Sequence, residues 1–363
     1  MRFRNRMSGK SEIATLGKRT EKMTKSKKLF VALAAVAAMS LAACSSSDSA
    51  ETTESSAAAD TQVVKKIAFF GFWKSNSFTQ AVLAGVQEGA AAAGAEVVDL
   101  STAAYDGAAQ IKAVQDQTIK GDAQMYIMLA SDSVGMATAA EEAIAKGITV
   151  VAAFTPLGAR FDTLEPQVPG LVVVAETPIS NGVVLAELAI EACDGKAVCN
   201  VAYLEGFKAL PLDNVRTTAF VDTIKASSTA GAVIKLVAQV EGGYSPDSGK
   251  KAAQDVIQAN PNVNVMVGSS QAILGATDVV DPKKVALIGN GASTEAYANV
   301  KSGTWFALIN MDTKGMGVKA VEVGLAQANG QKPNPSFDSS TLLDPHGTKA
   351  IIGDLTGTYS DLS

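Results

Sequence analysis

Residues 65–100 read KKIAFFGFWKSNSFTQAVLAGVQEGAAAAGAEVVDL, and this stretch decides the fold. Residues 66–71 form a short apolar run closed by glycine, the pattern of a strand buried on both faces. Phe78, Val82 and Val86 then recur every fourth residue, which predicts a helix running to Gly94. Residues 96–100 turn apolar again and predict the next strand. A strand, a helix and a strand in so short a span make a crossover unit, which sets neighbouring strands parallel.

The alternation continues outward. Strands are expected at 124–129 and 148–154, and helices at 106–120 and 133–146. Pro156, Gly158, Pro166, Pro169 and Gly170 then interrupt it. It restarts with strands at 171–175, 200–204, 232–240, 263–268, 284–289 and 304–311. Helices are expected at 180–192, 214–225, 245–260, 293–301 and 313–328. The body is therefore α/β, with two Rossmann-like lobes of parallel sheet covered by helices. Ligands of such sheets lie beyond the carboxyl ends of the strands.

The chain has 363 residues, 47% of them hydrophobic, enough to fill two cores. Its net charge of −5 is unevenly placed: residues 1–43 carry +8 and the remainder −13. An acidic body repels nucleic acid, so no nucleic-acid partner is expected. Lys25, Lys27 and Lys28 precede an apolar run at 29–41, too short to span a bilayer but suited to a signal peptide. The run ends in Leu41-Ala42-Ala43-Cys44, the form of a bacterial lipobox. Residues 1–43 are thus expected to be a lipoprotein signal peptide and Cys44 the lipidated residue. Met23 offers an alternative start. Residues 44–63, rich in Ser, Thr, Ala and acid, are expected to form a disordered tether.

Catalytic chemistry is not apparent. The chain has one histidine, His346, in a turn-like Asp-Pro-His-Gly, and no G-x-S-x-G, H-E-x-x-H or C-x-x-C motif. The glycine-rich stretch 242–251 lacks P-loop spacing and is expected to join a strand to a helix capped by Ser245 or Asp247. No enzyme activity, cofactor or metal is expected. Cys193 and Cys199 flank a short loop, where a disulfide is expected in an exported protein; two unpaired thiols are the alternative.

Polar and aromatic residues gather at the strand carboxyl ends. Trp73, Asn76 and Phe78 follow the first strand, Asp132 the third and Phe154 the fourth. Arg216 stands early in a helix of the second lobe. Ser269, Asn290 and Asn310 close three later strands. Amides, one guanidinium and flat rings suit a small neutral ligand, with hydroxyls on the amides and C–H faces on the rings. Because side chains alternate along an extended segment, Trp73 rather than Phe72 is expected to face the ligand.

On these residues the chain resembles the type I periplasmic substrate-binding proteins of ABC importers, in the ribose-binding-protein cluster. The resemblance covers about residues 64–340. Asn76 and Phe78 match an Asn-Pro-Phe ligand motif with Ser77 in place of proline, and residues 114–133 match the helix–strand–loop of the first lobe. Arg216, within NVRTTAF, matches a ligand-binding arginine. Ser269 stands where asparagine is usual, Asn290-Gly291 replace a Phe-Asp pair, and Asn310 lies near a glutamine position. Phe154-Thr155 replace the Asp-Arg pair of many sugar binders. The resemblance implies a three-strand hinge near 175–178, 311–313 and 335–338. One lobe is then 64–175 with 312–337, the other 176–311 with 338–363. It also implies a monomer on the outer face of the cytoplasmic membrane that closes on a sugar or polyol and delivers it to an ABC permease. A chemotaxis or sensor receptor, and a binder of a small aromatic or heterocyclic compound, are the alternatives.

Overall fold

The computed structural model describes residues 63–227 and 233–362. The expected signal peptide, tether and lipidated Cys44 lie outside these residues, apart from Val63.

The first run of elements is β1 (Lys66–Phe70), α1 (Ser77–Ala92), β2 (Glu96–Asp99), α2 (Gly107–Lys120), β3 (Met125–Met128), α3 (Ser133–Ala145), β4 (Thr149–Phe154) and β5 (Val172–Ala175). The second is α4 (Pro178–Ala192), β6 (Val198–Glu205), α5 (Pro211–Ala226), β7 (Val233–Glu241), α6 (Pro246–Ala259), β8 (Val265–Ser269), α7 (Ser270–Thr277), β9 (Ala286–Asn290), α8 (Thr294–Ser302) and β10 (Ala307–Ile309). The chain closes with α9 (Thr313–Ala328), β11 (Ser336–Asp338), a 3-10 turn (Ser339–Leu342), β12 (His346–Thr348) and α10 (Lys349–Ile352). No helix among the described residues is long and apolar enough to cross a membrane.

Two six-stranded sheets result, ordered β11-β5-β4-β3-β1-β2 and β12-β10-β9-β8-β6-β7. All pairings are parallel except β10 with β12. In β1, Ala68 and Phe70 enter the core on one face of the sheet and Ile67 and Phe69 the core on the other. Both faces are covered, so β1 reads as continuous apolar sequence rather than alternation.

Local signals set the helix ends. Asp106 caps α2 by accepting the Ala109 N–H at 2.9 Å, and Gly121 closes it at φ 68°. Ser245 caps α6 through the Ser248 N–H. Helix α5 begins at Pro211, ahead of the expected 214, because proline fits a first turn where no N–H is needed. Strand β10 is shorter than the expected 304–311. His346 lies on edge strand β12 rather than in a loop, with Nε2 3.0 Å from Glu187.

The chain passes between the sheets three times. After β5 it leaves the first sheet for α4, which packs on α5 and the second sheet. After β10 it returns as α9, which packs on α1 and β4. Gly85 and Gly317 let these helices touch: a Cβ on Gly317 would collide with the backbone of Val82 and Val86. β11 then pairs with β5, Asp338 opposite Ala175, and the 3-10 turn still packs on α9. The third passage thus follows residue 342, later than the 335–338 suggested by resemblance.

Candidate ligand-binding site

In the first sheet the strand order reverses between β1 and β3, and in the second between β6 and β8. The carboxyl ends of these four strands border one open cavity.

The first lobe builds its wall around Gln110. This side chain is fully buried; its Nε2 donates to the carbonyls of Gly71 and Leu129, both at 2.8 Å, and its Oε1 accepts the Ser131 N–H at 2.8 Å. It therefore fixes the loops after β1 and β3 to each other. Asn76, a residue of the cavity lining, caps α1 through its Oδ1. Tyr105 donates to the Ser131 carbonyl at 2.5 Å, and burial holds its hydroxyl well above the ordinary tyrosine pKa. Phe154 ends β4 at φ 62°, a left-handed conformation unusual for a bulky side chain.

The second lobe centres on an ion pair. Arg216 Nη1 lies 2.7 Å from Asp213 Oδ1, with both side chains almost wholly buried. The Tyr244 hydroxyl donates to the same oxygen at 2.6 Å, and the Phe207 N–H donates to Oδ2 at 2.8 Å. Burial raises the Asp213 carboxyl pKa, with the Arg216 charge and the Tyr244 bond limiting the rise. Burial also works against the Arg216 charge, but Tyr244, Asp213, Tyr203 and Glu176 outweigh it and keep the guanidinium protonated. Glu176, between β5 and α4, is raised to about 7 by burial. Two residues of the lining, Arg216 in this lobe and Ser131 in the first, carry a buried Nε and Oγ with no hydrogen-bond partner among the described residues.

Eight aromatic residues border the cavity in one connected series. Centroid distances are 5.1 Å for Tyr244–Phe207, 6.0 Å for Phe207–Tyr105, 6.4 Å for Tyr105–Phe72 and 6.1 Å for Phe72–Phe154. They are 4.7 Å for Phe154–Phe78 and 6.3 Å for Phe78–Tyr359, and Trp73 joins through Tyr105 at 5.9 Å. Tyr359 arrives from the last residues of the chain: its carbonyl accepts the Thr294 N–H and its hydroxyl the Ala292 N–H. Gly291, at φ 146°, leaves room for this tyrosine; a Cβ there would lie 3.1 Å from the Tyr359 hydroxyl.

Of the nine residues expected at a site, the structure sets Trp73, Asn76, Phe78, Phe154, Arg216 and Asn290 on the cavity. Asp132, Ser269 and Asn310 are not among its lining residues. Asp132 caps α3 and Ser269 caps α7, as short oxygen-bearing side chains before helices do. Asn310 accepts the Tyr297 hydroxyl and donates to the Asp344 carbonyl at 2.8 Å, on a smaller cavity near the passages between sheets. Phe72 lines the cavity together with Trp73, contrary to expectation: β1 ends at Phe70, so strand alternation no longer applies there. Asn290 exchanges hydrogen bonds with Asn181. Sequence reading missed Gln110, Tyr105, Phe207, Tyr244 and Tyr359. Cys193 and Cys199, remote from the cavity, are joined by a disulfide.

A family model described as periplasmic binding protein domain matches residues 67–332. The chain belongs to this family. It is a binding protein rather than an enzyme. Among curated proteins none matches it significantly in sequence. Solved structures share the fold. An ABC transporter periplasmic solute binding protein from Actinobacillus succinogenes with bound D-allose aligns with TM-score 0.70 at 20% identity, over 80% of this chain and 100% of that one. A carbohydrate transporter solute binding protein from Agrobacterium radiobacter in complex with D-arabinose gives 0.67 at 21%, over 80% and 96%. An ABC transporter solute binding protein from Agrobacterium vitis with bound D-fucose gives 0.66 at 18%, over 80% and 97%.

Proposed function

We propose that this periplasmic binding protein is an extracytoplasmic solute receptor, held to the membrane by lipid on Cys44. As a monomer it closes two lobes, hinged at the three passages between sheets, on a small neutral ligand and delivers that ligand to an ABC permease. The observation that carries this reading is the cavity shared by both sheets, with a buried, unpartnered donor on each side: Ser131 Oγ and Arg216 Nε. A ligand that satisfies both favours the closed arrangement, since it gains contacts only when the lobes meet. Neutrality follows from the pairing of Arg216 with Asp213, which leaves no uncompensated cation for an anion.

Sugars and polyols are the first class to test, because the neighbouring structures hold D-allose, D-arabinose and D-fucose. Aromatic faces and amide groups can serve C–H surfaces and hydroxyls respectively. Thermal unfolding with these sugars, D-ribose, myo-inositol and small neutral ring compounds tests the receptor reading. A ligand at 100 times its dissociation constant adds about 2.7 kcal/mol to the stability of the folded state. A saturable rise with at least one compound is expected. No rise with any of them, nor with an unfractionated small-molecule extract, would overturn the reading.

A further inference from the structure

The cavity's charged groups are committed to one another, while the hydroxyls of Ser131, Ser133 and Ser270 and the Gln271 amide in its lining can donate or accept. Asp213, outside the lining, takes Arg216 Nη1 and the Tyr244 hydroxyl on one oxygen and the Phe207 N–H on the other. Glu176 is not among the lining residues, and its Oε1 accepts from Asn181. The Asn290 oxygen accepts from Asn181 as well. Arg216 Nε, by contrast, is an obligate donor, buried and unpartnered, and the Asn76 oxygen is engaged in capping while its NH2 group remains a donor. Each hydroxyl of a sugar brings a proton that needs an acceptor, and leaving it unmet in a dry site costs about 1–3 kcal/mol. A ligand that offers acceptors and few donors meets no such penalty.

The wall has the same bias. The eight-ring series lines the cavity together with Leu210, Leu212 and Met311 and a set of polar residues. Aromatic rings lining one space suit a flat π-system, which can stack on a ring face or meet a ring edge-on.

Resting on the receptor reading above, we infer that the ligand of this cavity is a neutral planar heterocycle. Its ring nitrogen or carbonyl oxygen accepts from Arg216 and Asn76, and its faces lie against the aromatic series. Phe72 and Phe207 then approach it from the first and second lobes respectively.

Tryptophan fluorescence tests this directly. Trp305 is buried in the second-lobe core, so a ligand-induced change reports Trp73 on the cavity. The probes are nicotinamide, adenine and uracil, set against D-allose, D-arabinose and D-fucose, with nicotinate as the anionic analogue. The expected result is saturable binding of at least one heterocycle, at least ten times tighter than any of the sugars. Nicotinamide should bind at least as tightly as nicotinate. Phe72→Leu and Phe207→Leu should each weaken the heterocycle at least tenfold, with cooperative thermal unfolding retained. A sugar that binds tenfold tighter than all three heterocycles overturns the inference and leaves the receptor reading standing. Heterocycle binding that both leucine variants leave unchanged overturns it as well. If neither class binds, the inference fails, and the extract experiment above decides the receptor reading separately.

Discussion

The ring of Tyr105, on a loop between β2 and α2, lies 6.0 Å from the ring of Phe207, which follows β6 in the other sheet. With Phe78 and Tyr359 it is one of two aromatic pairs that join the lobes at the cavity. An aromatic pair contributes roughly 0.5–1.5 kcal/mol beyond the area it buries. Phe207→Ala should therefore shift the ligand-free protein toward a more open arrangement. Small-angle X-ray scattering should show a larger radius of gyration than for the wild type. An unchanged radius would mean that this pair does not hold the lobes together.

Arg216→Ala would be harmless to folding if the residue were a free ligand contact, as its place in the sequence suggests. The structure says otherwise, because Asp213 would keep its buried charge without the partner at 2.7 Å. A loss of roughly 3–5 kcal/mol in unfolding free energy is expected. Arg216→Lys, which keeps the charge but loses the forked donors, should lose less. Urea denaturation measures both, and a loss below about 1 kcal/mol for the alanine variant would mark the pair as screened by solvent.

Glu176 gives the protein a pH dependence of definite sign. Burial holds its folded carboxyl protonated up to about pH 7, whereas the unfolded chain releases that proton near the ordinary value of about 4.3. Its protonated form thus favours folding below that ordinary value, and this contribution declines as pH rises toward about 7. Asp361, raised to about 6 by burial, acts in the same direction. Glu176→Gln should be more stable than wild type at pH 8, by on the order of 2 kcal/mol, and flatter between pH 5 and 8. Equal pH profiles for the two proteins in urea melts would rule this out.

The Cys193–Cys199 bridge closes a short loop between α4 and β6. Chain entropy assigns such a loop about 2 kcal/mol. Replacing both cysteines by alanine should lower stability by that order without changing binding, since neither residue borders the cavity. Alkylation of Cys193 and Cys199 in the unreduced wild type, seen as added mass, would show that the bridge does not form.

Cys44→Ser should move the protein from membrane to soluble fractions, because acyl chains supply the affinity for the bilayer. The expectation rests on Leu41-Ala42-Ala43-Cys44 after a short apolar run. Mass spectrometry of the wild type from a bacterial host checks it, and an unmodified Cys44 in membrane-free protein would count against it.

Most strands and helices were legible in the sequence, because their signals are carried by contiguous residues. Phe78, Val82 and Val86 mark α1, and Asp106 with Gly121 bounds α2. Short elements were harder. Strands β11 and β12 have three residues each, less than any period can reveal. At the cavity, residues just after long apolar strands were found, including Trp73, Phe154 and Asn290. Asp132 and Ser269 lie outside the cavity lining as helix caps, since a helix cap and a ligand contact use the same polar residues in the same place.

By itself, then, the sequence determined an acidic α/β body with two lobes and polar ends to its strands. These follow from composition, from short apolar runs and from the 3.6-residue helical repeat, which act over one element at a time. Only the tertiary structure decided that α9 returns to α1, that Gln110 ties two loops together, and that Tyr359 reaches the cavity. It also decided that Arg216 is paired rather than free. The reason is sequence distance: whether residues tens or hundreds of positions apart meet depends on strand order and crossovers, which no local pattern encodes.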